Sequence, residues 1–352
     1  MKLDSVTADA LRAALATVVA IPVTPFGPDG RVDWDTYPKL LHRLVDSGVT
    51  VVTPNGNTGE FYTLSPAEAR RGTEAATAAI GQPAEVLVGV GLDTATAIEA
   101  ARHARDAGAR MVMVHQPVHP YLSADGWLEY NRAIADAVPD MGIVLYLRDP
   151  HIGGAQIGRL GESCQNVIGI KYAVPDPVRF ASVARDAGLD RFTWIAGLAE
   201  LYAPAYWAVG ATGLTSGLVN VAPALSIGML DALRAGDFSM AMKVWESVRP
   251  FEELRAADSS ADNVSVVKEA LAQLGLCRAD VRPPSRSLPG EVRTRITAIL
   301  DAWGLRPGQA NTAQANTAQA NTAQANTAQA NTAQANTAQA NTAQANTAAA
   351  QP

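Results

Sequence analysis

The chain alternates short apolar runs with longer segments in which apolar residues recur at helical spacing. The runs are rich in valine and isoleucine and stay apolar on consecutive positions, as strands do when both faces of a sheet are buried. The intervening segments place apolar residues three and four positions apart, which is the spacing of an amphipathic helix. The apolar runs lie at residues 17–26, 50–56, 85–91, 110–117, 142–148, 166–173, 192–197 and 211–217.

These eight β–α units in series predict an α/β fold, a closed (β/α)8 TIM barrel. The alternative is an open doubly wound sheet, but the glycine fingerprint of a dinucleotide-binding sheet does not follow the first apolar run. Helices are predicted over residues 65–81, 93–108 and 176–188, because each segment opens on a capping residue and ends near glycine. Ser65 and Glu68 have the spacing of a capping box.

The apolar runs stop after residue 222, and the pattern becomes helical only. Three helical segments follow, at residues 222–251, 264–276 and 290–304. We therefore predict a barrel over residues 1–222 and a C-terminal helical subdomain over residues 223–305.

The last part of the chain, residues 306–352, is of low complexity. A Gln-Ala-Asn-Thr-Ala pentad repeats from residue 309 to residue 348. A period of five matches neither the 3.6 of a helix nor the 2 of a strand, and the pentad offers no large apolar side chain to bury. We expect this tail to be disordered.

Composition and charge narrow the class of protein. The chain is 48% hydrophobic and 18% charged with a net charge of −6, which fits a globular enzyme and argues against nucleic acid or an anionic membrane as a partner. Cys164 and Cys277 lie far apart, so neither a zinc knuckle nor a disulfide framework is predicted. Asp4 and Asp9 interrupt what would be the apolar core of a signal peptide, and no run approaches the roughly 18 residues of a membrane span. We expect a cytoplasmic protein.

Lys171 is the sharpest candidate for a catalytic residue, because it interrupts the apolar run NVIGIKYA near its end. In a barrel of this kind the catalytic groups project from the carboxyl ends of the strands. Burial lowers the pKa of an amine, so a neutral amine becomes available near neutral pH to add to a ketone. The alternative is that Lys171 pairs with a buried acid or extends to the rim of the barrel.

Tyr146 and Arg148 end the preceding apolar run, GIVLYLR. A phenol at that place can transfer protons, although a buried aromatic residue in a strand is more often part of the core. Arg148 follows on the same face and can hold a carboxylate through two hydrogen bonds, unless it pairs with Asp149 or another acid at the rim.

Two further segments contain residue types that bind ligands. The loop PNGNTGEF after the second run is rich in glycine, and its backbone N–H groups with the hydroxyl of Thr58 can bind a carboxylate, although such loops often only reverse the chain. His115 and His119 have a spacing that binds metal on a helix, but the neighbouring prolines exclude that helix and no third ligand is apparent. No metal site is predicted.

Four segments resemble the dihydrodipicolinate synthase and N-acetylneuraminate lyase superfamily of class I aldolases. They are GNTGEFYTLSPAE (56–68), VLYLRDP (144–150), IGIKYA (168–173) and VRPPSRSLPGE (281–291). They occur in the family's order and spacing, and the resemblance runs from about residue 14 to residue 305.

The resemblance implies a (β/α)8 barrel with a C-terminal helical subdomain, assembled as a homotetramer. It also implies imine chemistry on a small-molecule 2-keto acid, with no metal or organic cofactor. Lys171 is then the Schiff-base lysine and Tyr146 the proton relay. Asn57 and Thr58 bind the carboxylate next to the ketone, and the backbone of Gly197 lines the pocket.

Departures from the synthase pattern bear on the substrate. The synthase has two hydroxyl residues where this chain has Asn57 and Thr58, and the first of them completes a proton relay. Its second relay tyrosine, lent by a neighbouring subunit, corresponds to Val118 and His119, so His119 is the candidate substrate contact there. Arg148 also comes earlier than the arginine of the synthase. LYLRDP and GNTGEF are more similar to the 5-dehydro-4-deoxyglucarate dehydratase branch, so we expect a sugar-acid-like 2-keto acid.

Two other functions stay open. An authentic synthase would condense pyruvate with aspartate semialdehyde, which Asn57 and His119 argue against. A non-catalytic protein could bind a keto acid on the same scaffold, and borohydride trapping at Lys171 separates it from an enzyme.

Overall fold

The computed structural model describes residues 2–81 and 84–306 of the chain. Within them, eight parallel strands pair in sequence order, and the last pairs with the first to close the sheet. The predicted (β/α)8 barrel is confirmed, since each strand falls inside one of the eight apolar runs. The strands are Val18–Ala20 (β1), Val51–Val52 (β2), Glu85–Val90 (β3), Met111–Val114 (β4), Gly142–Leu147 (β5), Val167–Tyr172 (β6), Thr193–Ala196 (β7) and Gly213–Ser216 (β8).

Helices alternate with the strands, as the β–α repeat predicts. A first helix precedes β1, one helix follows each strand, and three more complete the described part of the chain. They are Ser5–Leu15 (α1), Tyr37–Asp46 (α2), Pro66–Ala79 (α3), Thr94–Asp106 (α4), Ala124–Ala137 (α5), Gly154–Ser163 (α6), Pro177–Ala187 (α7), Ala199–Trp207 (α8), Pro223–Arg234 (α9), Phe238–Ser260 (α10), Asn263–Gln273 (α11) and Gly290–Ala302 (α12).

The helix starts follow the capping residues of the sequence. Ser65 and Glu68 form the predicted capping box at α3, in which each side chain bonds to the backbone N–H of the other. Asp93 and Asp176 accept backbone N–H groups at the starts of α4 and α7. Each cap satisfies an amide that the first helical turn leaves free.

The first helix, α1, forms the floor of the barrel and was not among the predicted elements. Leu11 and Leu15 are fully buried in the barrel core. They lie against Gly142 and Gly169, near the starts of β5 and β6, where the absence of a side chain leaves room for them. The floor therefore closes the amino end of the barrel with apolar side chains and leaves the carboxyl end for chemistry.

The predicted helix over residues 222–251 is wrong as a single element, because it is two helices. The break lies at Gly236, whose φ of 72° is left-handed backbone that favours glycine. α9 contacts β1 and β8, and so acts as the helix of the eighth β–α unit, while α10 packs on α8, α9 and α11. The domain limits at residues 222 and 305 stay a prediction.

Residues up to Ile299 form one compact unit, and the described end of the chain, residues 300–306, belongs to a second. The predicted tail, apart from Arg306, lies outside the described residues. No helix in residues 2–81 and 84–306 has the length and apolar character needed to cross a membrane.

Candidate active site

Lys171 and Tyr146 lie side by side inside the barrel. The register between β5 and β6 pairs Tyr146 directly with Lys171, so the two side chains share one face of the sheet. Lys171 Nζ lies 4.1 Å from the centroid of the Tyr146 ring. Both residues are buried, with exposed fractions of 4% and 7%.

The amine of Lys171 neither pairs with a buried acid among the described residues nor extends to the rim of the barrel, as the alternative interpretation requires. Across the described ranges, Nζ makes no hydrogen bond and no ion pair, and the side chain does not extend to the rim. Burial, and next the positive charges of Arg148 and Arg255, lower the pKa of Lys171 to about 7. A large fraction of the lysine is therefore neutral near pH 7, as a nucleophile must be.

A cavity of about 260 Å³ opens above Lys171 at the carboxyl end of the barrel. Its walls come from the loops after β2, β5, β7 and β8, and from the end of α10 and start of α11. Its lining includes Asn57, Thr58, Tyr146, Arg148, Lys171, Gly197, Gly217, Glu252, Arg255 and Asn263.

Asn57 and Thr58 project into this cavity from a short 3-10 helix, Asn57–Gly59. The amide Nδ2 of Asn57 donates to the phenol oxygen of Tyr146 at 3.2 Å. Its Oδ1 is buried without a hydrogen-bond partner among the residues described. A buried acceptor of this kind is available to a donor on a ligand.

Glu60 ends this loop and is held from outside the barrel. Its backbone is left-handed, with φ of 59°. Its Oε1 lies 2.5 Å from Nζ of Lys268 on α11, and its Oε2 accepts the backbone N–H of Arg282 at 2.9 Å. The buried ion pair thus ties the Asn57–Thr58 turn to the C-terminal helices.

Arg148 and Gly197 also border the cavity. The guanidinium of Arg148 makes no ion pair with any described residue, and its suggested partner Asp149 instead lies 2.9 Å from His151 Nδ1. A Cβ on Gly197 would come within 2.6 Å of the carbonyl oxygen of Tyr172, so only glycine fits there. Arg148 therefore faces the cavity rim as an uncompensated cation.

The two histidines that have a metal-binding spacing in the sequence lie in different environments. His115 is buried and stacked on Phe61, with ring centroids 4.2 Å apart, and its Nε2 bonds to the carbonyl oxygen of Asn55 at 2.8 Å. Burial lowers its pKa to about 3, so it is neutral. His119 lies on an exposed loop outside the Lys171 cavity. Its substrate contact stays a prediction that requires a neighbouring subunit. The described residues hold no metal-binding cluster of His, Cys, Asp or Glu.

The sequence reasoning missed a group of buried polar residues behind β8. Glu252 and Arg255 pair within α10 at 2.5 Å, and Glu200 accepts hydrogen bonds from Ser216 and Ser226 at 2.5 Å each. Burial, and next the charge of Glu252, raise the pKa of Glu200 to about 7. The available signal was Glu200 itself, a lone acid in the apolar segment LAELYAPAYW.

The comparison with known families agrees with this geometry. The model of the dihydrodipicolinate synthetase family matches residues 14–303. The chain belongs to the dihydrodipicolinate synthetase family. It is therefore a lyase of the class I aldolase type, in a superfamily of Schiff-base aldolases and dehydratases.

Individual relatives carry two different names. A protein of Rhizobium rhizogenes named probable 5-dehydro-4-deoxyglucarate dehydratase is 31% identical over 81% of this chain and 94% of its own length. The crystal structure of dihydrodipicolinate synthase from Oceanobacillus iheyensis is 37% identical, with a TM-score of 0.81 over 84% of this chain and 99% of that one. The corresponding enzyme of Bacillus clausii is 40% identical, with a TM-score of 0.80 over 83% and 99%.

Proposed function

We propose that this enzyme forms a Schiff base with a deoxy-keto sugar acid of the 5-dehydro-4-deoxyglucarate type and removes water from it. The observation that carries the proposal is the unpaired, buried amine of Lys171 beside the phenol of Tyr146. No other described lysine combines burial with a missing partner, since Lys268 is paired with Glu60.

The chemistry follows from these two side chains. The neutral amine of Lys171 adds to the ketone carbon, and loss of water from the carbinolamine gives a protonated imine. The imine accepts an electron pair when a proton leaves the adjacent carbon, and the enamine so formed expels the hydroxyl group of the next carbon. Tyr146 supplies and removes protons in these steps. Aldol cleavage uses the same imine but breaks a carbon–carbon bond instead.

Asn57 and Arg148 support a sugar acid as the substrate. Asn57 donates an amide hydrogen to Tyr146, and an amide nitrogen cannot pass a proton on as a hydroxyl does. The relay of the synthase therefore has no counterpart at this position. Arg148 offers a free guanidinium at the rim, which suits the second carboxylate of an aldaric-type keto acid.

The test is borohydride reduction in the presence of 2-keto acids, followed by peptide mapping. The chain has five lysines, so the modified residue can be assigned directly. We expect the mass of the reduced adduct on Lys171 and on none of the others, and loss of water from 5-dehydro-4-deoxyglucarate in the product analysis. Absence of an adduct with every keto acid would favour the non-catalytic binding protein.

Dihydrodipicolinate synthase activity is the second candidate, favoured by the identities of 37% and 40% to structures of that enzyme. It predicts that pyruvate bound to Lys171 condenses with aspartate semialdehyde. Turnover of this pair, with no reaction of 5-dehydro-4-deoxyglucarate, would replace the first proposal by the second.

The cellular location and the oligomeric state of the enzyme stay predictions. We propose a cytoplasmic homotetramer in which His119 reaches the cavity of a neighbouring subunit. Sedimentation of the wild-type protein and of His119→Ala, with KM values for both, tests the assembly and this contact together.

A further inference from the structure

Arg255 is a buried cation that borders the Lys171 cavity but has no part in the mechanism above. We propose that Arg255 binds the carboxylate next to the ketone, together with Thr58. This inference rests on the proposed function, because it assigns one end of the keto acid that Lys171 captures.

The guanidinium of Arg255 retains free donors toward the cavity. It is 4% exposed, its Nη1 donates to Glu252 at 2.5 Å, and its Nη2 donates to Asn263 Oδ1 at 3.2 Å. Its Nε has no hydrogen-bond partner within the described ranges. Since a guanidinium carries five N–H groups, these two contacts leave some of its buried donors without an acceptor. Unsatisfied buried donors are costly, and a carboxylate is the ligand that matches their planar geometry.

Gly217 brings Arg255 and Thr58 to one place. A Cβ on this glycine would overlap Nη2 of Arg255 and would lie 3.2 Å from Thr58 Oγ1. The φ of Gly217 is −96°, which any residue can adopt, so the glycine is required for space rather than for backbone conformation. The vacant side-chain position just after β8 lets the guanidinium lie close to the hydroxyl predicted to bind the carboxylate.

The local charges favour an anionic ligand. Arg148 and Arg255 both act on Lys171 as like charges. Glu252 offsets Arg255, whereas Glu200 is partly protonated near neutral pH because its pKa is raised to about 7. A substrate carboxylate beside Arg255 adds the negative charge that the cavity lacks. Arg255 then binds the carboxylate next to the ketone, and Arg148 at the rim binds the second carboxylate.

The test compares two ketones that differ in the carboxylate. Pyruvate carries it next to the ketone, and hydroxyacetone has none. Trapping by borohydride is titrated with each ketone for the wild type, Arg255→Met and the double variant Glu252→Gln/Arg255→Met, which removes both buried charges. Arg249→Met is the matched control, since Arg249 lies on the same helix but is exposed and pairs with Glu246. Work at about pH 9 keeps Lys171 neutral despite the lost charge.

We expect the two Arg255 variants to raise the concentration of pyruvate for half-trapping by about tenfold or more, as loss of a charge-assisted hydrogen bond predicts. The hydroxyacetone titration should not move, and Arg249→Met should change neither. Equal losses with both ketones would mean a structural role, and unchanged pyruvate trapping would overturn the inference. Failure of the wild type to trap any ketone would instead refute the proposed function.

Discussion

Lys268→Met tests whether the turn at Asn57 and Thr58 is held by a buried ion pair. Lys268 Nζ lies 2.5 Å from Glu60 Oε1 and also donates to the carbonyl oxygen of Asp280 at 2.9 Å. Methionine keeps most of the length of the side chain but removes its charge, which leaves Glu60 with the backbone N–H of Arg282 as its donor. Because Glu60 is 5% exposed, water cannot replace the ammonium.

The expected cost follows from this burial. Removing one partner of a buried pair costs about 3–5 kcal/mol, because the other charge is left uncompensated. At about 2–4 °C per kcal/mol for a domain of this size, the melting temperature should fall by roughly 10 °C. The double variant Glu60→Gln/Lys268→Met removes both charges and should recover much of the loss.

Urea unfolding at pH 7 measures these differences as shifts of the midpoint at constant slope. Lys243→Met is the control, since Lys243 is an exposed lysine of α10. It should unfold at the wild-type midpoint. If Lys268→Met does so as well, or if the double variant is the least stable of all, the pair does not hold the loop and the reasoning from burial fails.

Three further outcomes are expected at the active site. Lys171→Met should abolish borohydride trapping and raise the free energy of unfolding below pH 7. The folded-state pKa of about 7 lies below the ordinary 10.5, so the unfolded chain holds the extra proton and this gain should shrink as the pH rises between the two values in urea titrations. Arg148→Gln removes a nearby positive charge and should raise the pKa of Lys171, which moves the acidic limb of the pH–rate profile to higher pH. Tyr146→Phe should lower kcat by about 10²–10⁴-fold in steady-state assays while trapping on Lys171 persists, because the phenol moves protons but forms no bond to the substrate.

The barrel and the neighbouring positions of Lys171 and Tyr146 could be predicted because local patterns determine them. Each strand is buried on both faces and lies in a mostly apolar run, so it stands out from the helical segments regardless of its neighbours. Lys171 breaks such a strand, and the order of the strands alone brings Tyr146 beside it. The capping boxes and N-caps are likewise local, since Ser65 and Glu68 are three residues apart.

Long-range pairs could not be predicted in the same way. Glu60 and Lys268 are 208 positions apart, and nothing near either residue indicates its partner. Glu252 and Arg255 have the spacing of an exposed helical pair, and only the packing of α10 on α8 and α9 buries them. The helix α1 has an amphipathic sequence, but its place as the floor depends on glycines in β5 and β6.

Some of the residues that escaped prediction also bear on how the substrate is bound. This chain resembles relatives named as synthase and as dehydratase along most of its length, so membership of the family does not distinguish the two activities. Overall identity does not distinguish them either, since it reaches 40% with one name and about 31% with the other. The cavity wall of this chain also depends on the helices after the barrel, because α10 brings Arg255 close to Gly217 and α11 anchors Glu60 through Lys268. We therefore expect substitutions in α10 and α11 of this enzyme to change its affinity for the keto acid, while the chemistry proposed for Lys171 and Tyr146 stays the same.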